Sequence, residues 1–112
     1  MKTNDIISLY VGFIEGAGGK NRPVLVRKFT DSYIEVFKIT SKYTNKSEFI
    51  KRQYYKIINW KQAGLNRESW VDIGTILQIP NSTISFKKIG RLSIKDQIEI
   101  DKFNDNFINH LK

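Results

Sequence analysis

The stretch Asn21-Arg22-Pro23-Val24-Leu25-Val26-Arg27-Lys28-Phe29-Thr30-Asp31-Ser32-Tyr33-Ile34-Glu35-Val36-Phe37-Lys38-Ile39-Thr40 decides the fold. Val24, Leu25 and Val26 form a continuous apolar run, and Pro23 stands at its start, a place where a strand tolerates proline. Residues 23–29 are therefore read as a strand. Thr30, Asp31 and Ser32 carry turn chemistry. Residues 33–40 alternate: Ile34, Val36 and, in part, Lys38 share one face, and Tyr33, Glu35, Phe37 and Ile39 the other. Two such strands around a short turn predict an antiparallel hairpin.

Upstream, residues 5–13 read as a first strand, and residues 15–21 as a loop rich in glycine. The apolar run from Ile6 to Ile14 follows Lys2 and resembles a leader segment. However, Asp5 sits where a leader is basic, Ser8, Tyr10 and Gly12 interrupt the run, and it is too short to span a bilayer. A buried strand is the expectation, with no membrane association. Downstream, residues 41–51 are polar and read as a loop with a short helical turn after Ser47. Residues 54–59 are strand-like. Residues 60–65 form a short helical turn ending at Gly64. Residues 70–73 and 75–79 are two strands broken at Gly74. Residues 80–82 make a turn, and 83–89 a last strand.

Ser93 opens a helix, with Asp96 three residues on as an acidic version of the capping box. Ile94, Ile98, Ile100, Phe103, Phe107, Ile108 and Leu111 recur at helical spacing, in a stripe wider than one packing face needs. Either this helix is deeply seated or its surplus apolar surface meets a second subunit. Short strands closed by one terminal helix predict a mainly β single domain over 1–112, a small barrel over 1–92 with a helix over 93–111 on its side.

A chain of 112 residues, with 40% hydrophobic and 27% charged residues, has an ordinary globular composition and the length of one domain. It has no cysteine, which excludes disulfides, zinc–thiolate sites and cysteine nucleophiles and fits a reducing, cytoplasmic location. The net charge is +8, unevenly spread: residues 1–94 carry sixteen Lys/Arg against seven Asp/Glu, and residues 95–112 three against four. A basic body suits a polyanion or an acidic protein partner.

Gly16-Ala17-Gly18-Gly19-Lys20 resembles a phosphate loop only superficially. Ile14 stands where its first glycine belongs, Asn21 where Ser or Thr belongs, and Pro23 forbids the helix that must follow. The carboxylates are scattered, and His110 is the only histidine, so no metal site and no Ser–His–Asp triad is indicated. The available chemistry is that of Arg, Lys, Thr, Ser, Tyr and Glu. RNA cleavage by the substrate's own 2′-hydroxyl suits it, because the nucleophile comes with the substrate. The protein then has only to align it, stabilise the phosphorane and assist the leaving oxygen.

Ordered along the chain, five segments resemble the MazF/PemK family of toxin endoribonucleases: Asn4-Asp5-Ile6-Ile7; Asn21-Arg22-Pro23-Val24-Leu25-Val26; Ile39-Thr40-Ser41; Ala63-Gly64-Leu65 with Ser69-Trp70-Val71; and Lys88-Ile89-Gly90-Arg91-Leu92-Ser93. The resemblance implies an SH3-like barrel, usually homodimeric, that cuts single-stranded RNA or mRNA at short sequences without a cofactor and is silenced by a cognate acidic antitoxin. It implies that Arg22 stabilises the phosphorane or acts as the acid, and that Thr40, with Ser41 beside it, orients the scissile phosphate. Glu15 lies seven residues before Arg22, where the family often has a Glu–Gln pair about five before; it is either a general base or a loop charge. Lys20, Asn21, Lys42, Lys46, Lys51 and Arg52 flank this site and are candidates for tracking RNA phosphates. The same barrel serves toxins that poison DNA gyrase, so a binding module for protein or nucleic acid, or a degenerate toxin kept as a regulator, are the competing expectations.

Overall fold

Strand pairing in this chain is antiparallel throughout, in one six-stranded sheet of order β4-β5-β3-β2-β1-β6. The structure, a computed structural model, describes residues 1–10, 21–83 and 85–110, with Thr83 described by its backbone alone. The elements are β1 (Asp5–Tyr10), β2 (Asn21–Phe29), β3 (Tyr33–Thr40), α1 (Glu48–Lys51), β4 (Tyr54–Lys56), β5 (Trp70–Pro80), a 3-10 turn (Asn81–Thr83), β6 (Phe86–Arg91) and α2 (Ile94–His110). The mainly β architecture with a C-terminal helix is as expected. Closure is not complete: among the described residues β4 and β6, the two edges, do not pair.

The hairpin of β2 and β3 explains why the sheet buries both of its faces. Leu25 pairs with Phe37, and Val26 with Val36. Because side chains alternate along a strand, these pairs fall on opposite faces. Leu25, Phe37 and Ile39 join Ile6, Tyr55, Ile57 and Val71 in one core cluster, and Ile100, Phe103 and Phe107 of α2 pack into it. Val24, Val26, Ile34 and Val36 join Ile7, Leu9 and Ile79 in a second.

Two of the three register shifts among the described residues of the sheet bear on the site. Between β3 and β5 the register jumps from Phe37↔Ile76 to Lys38↔Asp72, so Ile73, Gly74 and Thr75 are inserted without partners on β3. The two strands expected on either side of Gly74 are thus one strand with a bend. Between β1 and β6 the register passes from Ile6↔Gly90 to Ile7↔Lys88, which leaves Ile89 as the extra residue of a bulge.

β4 ends at Lys56, short of the expected residue 59, for a visible reason. The backbone N–H groups of Ile58 and Asn59 donate to the Asp96 carboxylate at 2.8 and 2.9 Å instead of to a neighbouring strand. The Tyr55 hydroxyl donates to the same carboxylate at 2.6 Å. Only half of the expected capping box therefore forms: Ser93 Oγ accepts from the Asp96 N–H at 3.1 Å, while the Asp96 carboxylate accepts from Ser93 Oγ at 3.2 Å and from the turn after β4 rather than from the Ser93 N–H. That turn closes as a Schellman motif, with Leu65 N donating to Trp60 O and Gly64 N to Lys61 O, both at 3.0 Å. Gly64 sits at φ +93°, in the left-handed region.

β6 begins at Phe86 rather than at residue 83, because Asn81–Thr83 is a 3-10 turn. Along α2 the wide apolar stripe does not mean deep seating. Asp96 and Ile100 are its buried residues, whereas Ile94, Ile98 and Ile108 are 69%, 51% and 43% exposed on the opposite side. Leu111 lies outside the described residues, as does the loop over 15–20. No helix among the described residues is long and apolar enough to cross a membrane.

Candidate functional site

At one end of the β2–β3 hairpin the core gives way to a cationic groove of about 660 Å³. The register that sets Val24 against Lys38, carried two residues further, puts Arg22 across from Thr40. Both line the groove, together with Ser41, Lys42 and Lys46 from the segment that follows β3. The opposite wall is the chain from Gly64 to Ser69, with Ile89 behind it. That wall is held by close backbone packing. A side chain on Gly90 would strike the carbonyl oxygen of Ala63, and a Cβ on Gly64 would come within 2.6 Å of Ile89 O.

Of the residues singled out in the sequence, Arg22, Thr40, Ser41, Lys42 and Lys46 come together in this groove. Asn21 lies beside it, exposed at the start of β2 and paired with Tyr10. Lys51 and Arg52 are not part of the lining. Lys51 pairs with Glu48 at 3.6 Å and lies 5.0 Å from the Tyr43 ring, and Arg52 lies over Phe49. Glu15 and Lys20 lie outside the described residues.

The groove also holds residues that pattern reading passed over: Lys38, Tyr54, Asn66, Arg67, Ser69 and Asp72. Lys38 occupies a position whose face is core elsewhere in β3, but the core has ended there and its side chain is exposed. Arg67 follows the Gly64 turn, and nothing local marks it. Among the described residues, five cationic side chains, those of Arg22, Lys38, Lys42, Lys46 and Arg67, thus line the groove with one carboxylate, that of Asp72.

Hydrogen bonding distinguishes the polar groups. Thr40 Oγ1 accepts from the Lys42 N–H at 3.0 Å, which leaves its own proton to donate. Ser69 Oγ spends its proton on the Arg67 carbonyl at 2.9 Å. Asp72 is buried, and its Oδ1 accepts from Gln53 Nε2 and Gly74 N, both at 2.9 Å. Burial, and then the Asp72 charge, raise the Tyr54 phenol above its ordinary pKa, so Tyr54 is a neutral phenol in the groove. Among the described residues the Arg22 side chain makes no hydrogen bond or ion pair, and the residue is exposed.

An exposed arginine, an available hydroxyl proton and an excess of positive charge have the chemistry to hold an anionic group such as a phosphodiester. Tyr55 is a core residue, and burial and Asp96 push its hydroxyl pKa far up. No group of three or more His, Cys, Asp or Glu side chains converges among the described residues.

No protein-family model matches the chain, and no curated protein matches it either.

Proposed function

We propose that this groove binds the backbone of single-stranded RNA and cuts it through the substrate's 2′-hydroxyl, the reaction of a MazF/PemK-type toxin endoribonuclease. The observation that carries the proposal is the convergence of Arg22 and Thr40, from opposite strands of one hairpin, in a groove with four further cations. In the reaction the 2′-oxygen attacks phosphorus and the bond from phosphorus to the 5′-oxygen breaks. A 2′,3′-cyclic phosphate and a 5′-hydroxyl result. The proton lost from the 2′-hydroxyl passes to a base or to solvent, and one is delivered to the departing 5′-oxygen. Arg22 offsets the extra negative charge of the phosphorane, and the free Thr40 proton holds a non-bridging oxygen. The chemistry asks for no metal and no cofactor, since the charge is met by guanidinium.

The biological setting follows the same reading. A groove with five cations is suited to being covered by the acidic segment of a cognate antitoxin. The exposed Ile94, Ile98 and Ile108 support pairing of two copies of the chain.

The test is incubation of the purified protein with a mixed-sequence RNA in EDTA, beside Arg22→Ala, with the fragment ends mapped. The expected result is discrete cuts bearing cyclic phosphates, absent with the variant. No cutting by the folded protein, or cutting that survives Arg22→Ala, overturns the site and leaves a non-catalytic binding module.

A further inference from the structure

Beside the groove lies a second, shallower recess of about 470 Å³, bordered by Ser41, Trp60, Asn66, Arg67, Glu68 and Trp70. It shares Ser41, Asn66 and Arg67 with the cationic groove, so one continuous surface runs from phosphate-binding charge to two indoles. Both tryptophans of the chain stand here. Neither is free to move. Trp70 stacks on Tyr43 with ring centroids 4.7 Å apart and planes 6° apart, and Trp60 packs against the core. Each is nonetheless partly exposed, so each keeps some surface open to solvent at the recess.

Fixed aromatic surface next to a cationic track is what an unstacked base needs, since base–aromatic stacking is favourable and the indoles here have already lost their rotamer freedom. The polar rim then selects among bases. Among the described residues Glu68 is the one carboxylate on the recess, exposed, and tied only loosely to Lys56 at 3.8 Å. A carboxylate accepts hydrogen bonds and donates none. Guanine is the base that presents two adjacent N–H donors on one edge, so it matches the two oxygens of Glu68, while the Asn66 amide can donate to the neighbouring guanine oxygen.

We infer that this recess is a guanine-binding subsite that follows the phosphate groove and sets which RNA sequence the protein engages. The inference rests on the reading of the groove as an RNA site. Arg67, common to both surfaces, binds the phosphate that joins the selected base to its neighbour.

The tryptophans are built-in reporters, because both border the recess. Their fluorescence is titrated with 2′-O-methyl hexamers, which cannot be cut through a 2′-hydroxyl: all-U, and all-U with a single G, A or C. The single-G hexamer is expected to quench the emission and bind about ten-fold tighter than all-U, the discrimination of one good bidentate pair. Glu68→Gln, an exposed and isosteric change, is expected to remove most of that preference while leaving all-U binding within about two-fold, since stacking and phosphate contacts remain. Equal binding of the four hexamers, absence of quenching, or a guanine preference unchanged in Glu68→Gln overturns the subsite. The RNA-cutting assay in EDTA runs separately. Cutting without a guanine preference sinks the subsite alone, and a guanine preference without cutting sinks the nuclease reading alone.

Discussion

The Asp5 carboxylate and the Arg91 guanidinium meet at 2.9 Å across the β1–β6 ladder, 86 positions apart in the chain. Asp5 is buried, and it also accepts from Lys2 N at 2.9 Å and faces Lys88 at 3.6 Å. Burial works against its ionisation. The Lys2 N–H, Arg91 and Lys88 outweigh burial and hold the carboxyl below its ordinary value of 3.8.

A carboxyl with a depressed pKa in the folded state stabilises the fold above the unfolded pKa, and that contribution is lost as pH falls through the folded value. Asp5→Asn is therefore expected to lower stability by about 2 kcal/mol at neutral pH. The gap to the wild type should close as the pH drops below about 4. Urea denaturation at pH 7 and near pH 3 checks this. A deficit of equal size at both would mean that the charge of Asp5 is not what ties β1 to β6.

Arg22 is exposed and makes no contact that the fold relies on, so its loss should separate catalysis from stability. Arg22→Ala is expected to slow RNA cleavage by about 10²-fold or more with the melting temperature unchanged. Arg22→Lys keeps the charge and loses the planar fork, so it should recover only a small part of the rate. Single-turnover cleavage beside a thermal melt reads both. Full rescue by lysine would reduce the residue to a point charge.

For Thr40 the question is whether its hydroxyl or merely its strand-forming shape matters. Thr40→Ser keeps the hydroxyl, and Thr40→Val keeps the β-branched shape. Cleavage should persist in the first and fall at least about ten-fold in the second, the effect of one lost hydrogen bond to a charged group. Similar rates in both variants would remove Thr40 from the reaction.

Asp96 is fully buried and accepts from Tyr55, Ile58 and Asn59, so it fastens α2 to the turn after β4. Asp96→Ala leaves four donors, those three and Ser93 Oγ, without this partner. The expected cost is about 3 kcal/mol or more, which in a domain of this size lowers the melting temperature by roughly 10 °C or more. Asp96→Asn, which keeps both acceptor geometry and volume in part, should fall between. A variant as stable as the wild type would show that the turn finds other partners.

Much of this was legible along the chain because it is local. The alternation of residues 33–40 and the apolar run at Val24 were enough for the hairpin, and Ser93 marked the start of α2. Arg22 and Thr40 could be singled out by resemblance, and hairpin register then explains why they share a groove. What escaped is non-local. Asp96 looks like half of a capping box until the turn at Ile58 and Asn59 is seen to reach it. Lys38 looks like a misplaced core residue until β3 is seen to run past the end of the core. Arg67 belongs to the groove only because the Gly64 turn packs on the bulge at Ile89. The isoleucines of α2 left two readings open for a related reason: helical spacing records that a face is apolar and says nothing about what covers it.

The Asp5–Arg91 contact also bears on timing. One wall of the groove is a hairpin whose strands are separated by three residues, the kind of unit that forms within microseconds. The other wall leans on Ile89 and Gly90, and these are in place only when β6 has found β1 across most of the chain. Pairings of such long separation are slow, because the closure entropy must be met before the contact rewards it. A partly folded chain therefore owns the arginine and the threonine but no groove to hold them in, so the groove arrives with the long-range pairing rather than growing as the chain folds.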